Sequence, residues 1–74
     1  MKASAVVQID NERVIVTEYR FAPGAETGHH VHAHDYVVVP LTSGILRLEE
    51  AAGVAHNVIN ANDYEFRFVE IEIK

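Results

Sequence analysis

Short segments rich in β-branched and aromatic residues, separated by turn residues, constrain the fold of this chain more than any other feature. No stretch repeats apolar residues with the 3.6-residue period of a helix over ten positions. Turn residues cluster at positions 10–12, 23–24, 42–44 and 60–63. The segments between them are 6–9, 13–21, 37–41, 45–50, 56–59 and 64–73. About six strands joined by tight turns predict an all-β fold, a small barrel or sandwich.

Two of the predicted strands carry a specific expectation about burial. Residues 37–39 are three consecutive valines, which predict a strand buried on both faces. In the last segment the apolar residues stand at even positions up to Phe68 and at odd positions from Val69. This change of phase predicts a β-bulge between them. Glu70 and Glu72 are then interpreted as residues of a solvated face, and the aromatic residues of the strands as core.

The length of 74 residues predicts one domain over positions 1–74. A domain of this size buries only about 60% of the surface of its unfolded chain and is marginally stable. The chain has no cysteine, so neither a disulfide nor a thiolate metal site can support it. Small domains of this kind usually gain stability from a metal ion or a partner subunit, and we expect one or both here.

Charge and hydropathy exclude several classes of partner. The net charge is −5 and no cluster of Lys or Arg is present, so a nucleic-acid partner is not expected. The longest uninterrupted apolar run, residues 37–41, is far too short to span a membrane. The first residues become polar too soon for a signal peptide. These features together predict a soluble protein of the cytoplasm.

The histidines are concentrated in one stretch. Four of the five lie within six residues, at His29, His30, His32 and His34. In an extended strand the last three would share one face and His29 would lie on the other. A single histidine of this kind is usually solvated, but the His30–His32 pair favours a metal site, because imidazole suits zinc, copper, iron and nickel. His34 shares the parity of the pair, and Asp35 could add a carboxylate if the strand ends or bulges after His34.

A two-part motif extends this interpretation. Gly24, five residues, His30-Val31-His32 and later Gly44 resemble the first motif of the cupin superfamily, in which a glutamate also follows the second histidine. The stretch Gly53 to His56, followed after three residues by Asn60, resembles the end of the second motif. The two matches cover about half of the chain, and the chain looks most like the short single-domain bacterial cupins.

The resemblance implies a small cupin-like β-barrel, or jelly roll, with one metal ion inside. Carried over residue by residue, it implies His30, His32 and His56 as ligands of one divalent transition metal ion, Zn, Ni, Fe, Mn or Cu. The glutamate of the first motif falls at Tyr36 or Val37, and neither is a carboxylate. The fourth ligand is therefore left open between water, His34, Asp35 and Tyr36, and any catalysis that depends on that glutamate is in question.

The segment between the two motifs is much shorter than the family pattern. Only residues 45–52 separate Gly44 from Gly53, where the family usually has a hairpin or more. A cupin shortened by about two strands would expose sheet edges, which pair readily with another chain. We therefore expect a homodimer that completes the barrel by edge pairing or strand exchange. An engineered or partly lost segment is the alternative explanation of the short stretch between the motifs.

Three functions remain open from the sequence. The first is a metal-dependent enzyme acting on a small polar metabolite, as the resemblance implies. The second is a module that binds a metal or small ligand without turnover, and the third is a strand-exchanged structural oligomer with incidental histidines. Fold alone does not decide between them, because cupins include enzymes, binders and storage proteins.

Overall fold

The computed structural model of the chain describes residues 1–31, 33–50 and 55–74, with only the backbone of Glu50. Six strands run in the order β1 (Ser4–Asp10), β2 (Val14–Phe21), β3 (Asp35–Pro40), β4 (Leu46–Glu50), β5 (His56–Asn60) and β6 (Phe66–Ile73). These residues include no helix, and hence none that could cross a membrane. The predicted all-β class is confirmed.

The strands form two antiparallel sheets. The larger has the order β1-β2-β6-β3 and the smaller pairs β4 with β5. Isolated bridges join Lys2 to Glu26, Glu26 to Ile59 and His30 to His56. The segment between β2 and β3 therefore runs beside β5, and it carries the first histidines to the smaller sheet.

Aromatic residues of two neighbouring strands form the core. Tyr19 and Phe21 of β2 lie opposite Phe68 and Phe66 of β6 in the sheet register. The Phe68 ring centroid lies 5.2 Å from that of Tyr19 and 5.4 Å from that of Phe21. Contacts of this kind add about 0.5–1.5 kcal/mol per pair beyond the burial of apolar area. The prediction that the strand aromatics are core is confirmed for these residues but is wrong for Tyr64, which precedes β6 and is 44% exposed.

The predicted bulge in the last strand is wrong. β6 keeps an unbroken register with both neighbours, and the only register shift in the described ladders lies in β1, between Val7 and Ile9. The even positions of β6 therefore face inward along its whole length, so Glu70 follows Phe68 into the interior and is only 4% exposed. The interpretation of Glu70 as a solvated residue was wrong. It assumed that the apolar residues at odd positions from Val69 onward face inward, whereas they lie on the outer face.

The three consecutive valines are also exposed against expectation. Val37, Val38 and Val39 are 50%, 41% and 43% exposed. β3 is the last strand of the larger sheet, and within the described part of the chain no strand pairs with its outer edge. The facing sheet has only two strands, which leaves β3 uncovered. Pro40 ends the strand, and its missing N–H cannot donate to the ladder.

Candidate metal centre

The histidine stretch is not one continuous strand. His30 takes part in an isolated bridge, residues 33 and 34 form a bend, and β3 begins at Asp35. His29 is exposed, whereas His30 and His34 are partly buried. His32 lies outside the described residues, so its predicted role as a ligand stays a prediction.

The structure brings His30 and His56 together. The two residues exchange backbone hydrogen bonds: the His30 N–H donates to the His56 carbonyl at 2.9 Å, and the reverse bond is 3.0 Å. Their rings meet edge to face, with centroids 4.4 Å apart and an interplanar angle of 78°. A metal ion lies about 2.0–2.1 Å from each histidine nitrogen that binds it, so rings at this separation can contribute to one site.

The orientation of the His30 ring is set by its own loop. Its Nδ1 lies 2.9 Å from the Gly28 carbonyl oxygen, which can only accept, so Nδ1 carries the proton and donates. The neutral tautomer then has its lone pair on Nε2. Metal-binding histidines usually show this arrangement, in which one ring nitrogen donates to a carbonyl and the other binds the metal. The Thr27 hydroxyl lies 3.3 Å from the same Nδ1.

Two further residues position this loop, and sequence reasoning missed both. Asn57, beside His56 on β5, is 3% exposed, and its Oδ1 accepts a 2.8 Å hydrogen bond from the Gly28 N–H. The Thr27 hydroxyl oxygen accepts a 3.1 Å hydrogen bond from the Val58 N–H. In the sequence, Asn57 resembles an ordinary strand residue and Thr27 an ordinary loop residue. No local pattern marks either of them as a residue that positions the site.

A cavity of about 100 Å³ lies between the two sheets beside the histidine pair. Its lining consists of Tyr19, Thr27, His30, Tyr36, Val38, Leu46, His56, Val58, Phe68 and Glu70. A wider and more open groove of about 550 Å³ adjoins it and is lined partly by His30, His34 and Glu72. The enclosed space is therefore small, and its polar lining is dominated by imidazole, phenol and carboxyl groups.

The three side chains left open for the fourth ligand position lie in different places. His34 Nδ1 is 3.3 Å from Glu72 Oε2 and belongs to the wider groove. Asp35 is exposed at the start of β3. Tyr36 lines the cavity, with its ring centroid 6.5 Å from that of His56. Of the three, Tyr36 alone lines the cavity that contains the histidine pair.

Glu70 is the carboxylate of the cavity, and sequence reasoning placed it elsewhere. Burial raises the pKa of Glu70 from 4.5 to about 7, with further contributions from a hydrogen bond to Glu72 and from the charge of Glu72. Burial, and then the charges of Glu70 and Glu72, also raise the pKa of the Tyr19 phenol. The signal that could have identified Glu70 is its parity with Phe68, two positions earlier on the same strand.

Among the described residues, no three His, Cys, Asp or Glu side chains form a group able to hold a metal ion. His30 and His56 supply two imidazoles, and the third predicted ligand, His32, lies outside that part of the chain. The described donor set fits a transition metal, because both donors are imidazoles and the His30 ring is held by the Gly28 carbonyl.

Asn60, the last residue of the second motif, has a structural role. It is 1% exposed, and its amide donates to the carbonyls of Phe21, Ala22 and Tyr64 at 2.8–3.2 Å. Its own carbonyl accepts from the Gly24 N–H at 3.1 Å, where the chain adopts a positive φ of 76°. The glycine of one motif and the asparagine of the other thus meet and fix the loop before His30.

Comparison with known proteins gives close relatives. No protein-family model matches the chain. The β-alanine degradation protein BauB of Pseudomonas aeruginosa is 56% identical over 90 aligned positions, which cover 99% of this chain and 95% of BauB. Because these positions outnumber the 74 residues of this chain, BauB has positions with no counterpart here, as expected for a shortened cupin.

Solved structures agree with this relationship. The crystal structure of a cupin domain from Bordetella pertussis Tohama I is 54% identical, superposes with a TM-score of 0.91, and is matched over 99% of this chain and 94% of its own. The protein TT1209 from Thermus thermophilus is 23% identical with a TM-score of 0.73, over 97% of this chain and 84% of its own, and shows the fold alone. The chain therefore has the cupin fold and belongs to the cupin family.

Proposed function

We propose that this chain is a metal-binding cupin-domain protein that acts on or binds a small polar metabolite. The ligands in this proposal are His30, His32 and His56, and the metal is one divalent transition metal ion, Zn, Ni, Fe, Mn or Cu. The observation that carries the proposal is the edge-to-face contact of His30 and His56 at 4.4 Å, which joins the two motifs at one point.

The chain's own residues prepare the site for such an ion. The Gly28 carbonyl accepts a hydrogen bond from His30 Nδ1–H, and the Gly28 N–H donates a hydrogen bond to Asn57 Oδ1, which holds Gly28 in place. When bound, the metal would polarise a substrate oxygen or activate water. The cavity beside it is smaller than the common range of about 300–1,000 Å³ for ligand pockets, so the metabolite must be small. The name of BauB, a protein of β-alanine degradation, suggests an amino acid or a related compound.

A second candidate is a module that binds its ligand without turnover. It is favoured by the absence of a carboxylate at Tyr36 and Val37, the two positions that align with the family's glutamate. A screen of small carbonyl and thiol compounds, with oxygen consumption as one readout, separates the two functions. An enzyme forms product and loses turnover with His56→Ala while it stays folded. A binding module shows ligand-induced stabilisation and no product.

Titration of the metal-free protein with zinc or nickel, followed by calorimetry, tests the site itself. We expect binding near one ion per chain, weakened at least about tenfold by His30→Ala or His56→Ala. His29→Ala is the matched control, because His29 is exposed. Metals bind neutral imidazole, whose reference pKa is about 6.5, so the affinity should fall below about pH 6. Unchanged affinity in both site variants would contradict the proposal.

We also propose that the protein forms a homodimer through the outer edge of β3. Residues 36–40 carry no charge, so two copies of the strand can pair antiparallel about a two-fold axis at Val38 without opposing like charges. The pairing would cover valines that are 41–50% exposed in the single chain. Light scattering after size exclusion should give a dimer for the parent and a monomer for Val39→Lys. Val6→Lys on β1, also at an exposed position, should stay dimeric; a monomeric parent would contradict the proposal.

A further inference from the structure

The outer face of the larger sheet is aliphatic across all four of its strands. Residues directly opposite each other in an antiparallel sheet point to the same side, so the register identifies this face. The odd positions of β6 point away from the core, which contains Phe66 and Phe68. The aliphatic residues that share this side are here called the outer patch: Val6 and Ile9 of β1, Val14 and Val16 of β2, Val69, Ile71 and Ile73 of β6, and Val37 and Val39 of β3.

Much of the outer patch is exposed in the single chain. Its members on the two edge strands β1 and β3, together with Ile73, are 43–51% exposed, and the rest are partly buried by their neighbours. An antiparallel sheet with one face in water usually alternates apolar inner residues with polar outer ones, and this sheet does not. A contiguous exposed apolar patch marks an interaction site more often than a single exposed aliphatic residue does.

The bulge of β1 adds a residue to the outer patch. The register of β1 shifts between Val7 and Ile9. Val7 lies opposite Thr17, which is buried on the inner side of β2, whereas Ile9 lies opposite Val16 on the outer side. Without the bulge, Val7 and Ile9 would point to the same side, because they are two positions apart. Bulges re-aim side chains in this way, and the shift brings Ile9 into line with Val16.

The charge that lies among the patch residues is already compensated. Within the described strands, Glu18 stands between Val6 and Val69 in the register. Its Oε1 lies 2.7 Å from Arg20 Nε, and its side chain is only 12% exposed. A second copy of the same face would therefore meet aliphatic side chains and an ion pair, with no uncompensated charge to bury.

The size of the outer patch fits an interface between copies of the chain. With strands about 4.8 Å apart and a rise of about 3.4 Å per residue, the patch covers roughly 400 Å² of the sheet. Edge pairing about a two-fold axis at Val38 would leave the patches of both chains on the same side of one continuous sheet. Their joint area of about 800 Å² equals what each partner buries in an interface of standard size.

We propose that the outer patch packs face to face against the outer patch of a second copy, so that two edge-paired dimers form a tetramer. The proposed dimer sets the number of chains in this inference, whereas the contact itself needs only the patch. A two-fold axis across the strands at the level of Val38 would place Val69 over the second copy's Ile71. It would also bring the Arg67 end of one face over the Asp35 end of the other, and the alternative orientation would oppose the arginine ends.

The test is the molar mass of the protein by sedimentation equilibrium up to a high concentration. Twisted sheets touch over only part of their area, so we expect the contact to be weak and to form fully by about 1 mM protein. At that concentration the parent should have twice the mass of Ile9→Lys, because two facing patches would have to bury the added charges. Ile73→Lys, on β6, should lose the contact in the same way.

Val7→Lys is the matched control for Ile9→Lys. The two positions lie on the same strand and are 58% and 49% exposed, but they point to opposite sides of the sheet. Val7→Lys should therefore keep the mass of the parent. Circular dichroism checks that the variants are folded, and the exposed positions make their folding insensitive to the substitution.

The outcomes separate this inference from the proposed edge dimer. The mass of Ile9→Lys reports on edge pairing alone, since a dimer supports that pairing and a monomer contradicts it. Equal masses of the parent and Ile9→Lys at about 1 mM would overturn the outer-patch contact in either case. Equal masses together with stronger binding of a hydrophobic dye by the parent would mean that the patch serves another partner, and would overturn it as well.

Discussion

β3 and β6 are neighbours in one sheet, but their residues are buried to opposite extents. On β6, Glu70 is a carboxylate and is 4% exposed, whereas Val38, which lies opposite it on β3 and on the same face of the sheet, is aliphatic and is 41% exposed. β6 has a paired strand on both sides, and β3 has one only on the side of β6 among the described residues. Position in the sheet, and not polarity, therefore decides burial here.

The largest expected effect is a loss of stability from a substitution on the core-facing side of β6. Phe68→Ala should lower the free energy of unfolding by about 3–5 kcal/mol, because a buried aromatic ring is lost and a cavity is left. Val39→Ala on β3 should cost less than about 1 kcal/mol, since that side chain is 43% exposed. Urea unfolding, at a protein concentration that keeps the chain monomeric, measures both. Equal losses at the two positions would contradict the comparison.

The next largest effect is a dependence of stability on pH, caused by Glu70. Between its unfolded pKa of 4.5 and its raised pKa of about 7, Glu70 binds more protons in the folded chain than in the unfolded one. The free energy of unfolding of the metal-free protein should therefore fall as the pH rises through this window, by at most about 3 kcal/mol. The slope should be lost in Glu70→Gln and kept in Glu65→Gln. Denaturant midpoints across the window check this, and an unchanged slope in Glu70→Gln would show that Glu70 is not the group responsible.

The smallest expected effect is a difference in stability loss between substitutions on the outer faces of β6 and β3. Val69 on β6 is partly buried, whereas Val37 on β3 is half exposed. Val69→Thr should therefore destabilise by about 1 kcal/mol and Val37→Thr by less than about 0.5 kcal/mol in the monomer. Thermal unfolding of the two variants measures the difference. A larger loss at Val37 than at Val69 would mean that β3 is covered in the monomer.

The sequence alone predicted the all-β class, the aromatic core and the pairing of His30 with the distant His56 through the motif resemblance. These features follow from local residue chemistry or from a pattern with fixed spacing. The burial of Glu70 was missed because a bulge was predicted after Phe68, although the parity of Glu70 with Phe68 on the same strand was a local signal for it. The exposure of the three valines was not predicted, because it depends on which strands lie beside β3. That information is non-local, and the hydrophobic pattern of one strand does not contain it.

The positioning residues of the site were missed for a similar reason. Asn57 contacts Gly28 across the gap between β5 and the preceding loop, and nothing in the sequence joins the two positions. Asn60 was recognised as part of a motif, but its role in holding three carbonyl groups became evident only from the fold. From the sequence, the fourth ligand position was left open between water, His34, Asp35 and Tyr36. Of these three side chains, only Tyr36 lines the cavity that contains the histidine pair.

The most direct test of the central claim, that two distant motifs form one metal site, is elemental mass spectrometry of untagged protein. The parent is compared with a variant that combines His30→Ala with His56→Ala. Our account predicts near-stoichiometric transition metal in the parent and none in the variant, with circular dichroism showing both folded. Absence of metal from a folded parent that has been offered each candidate ion, or equal metal in both proteins, would contradict it.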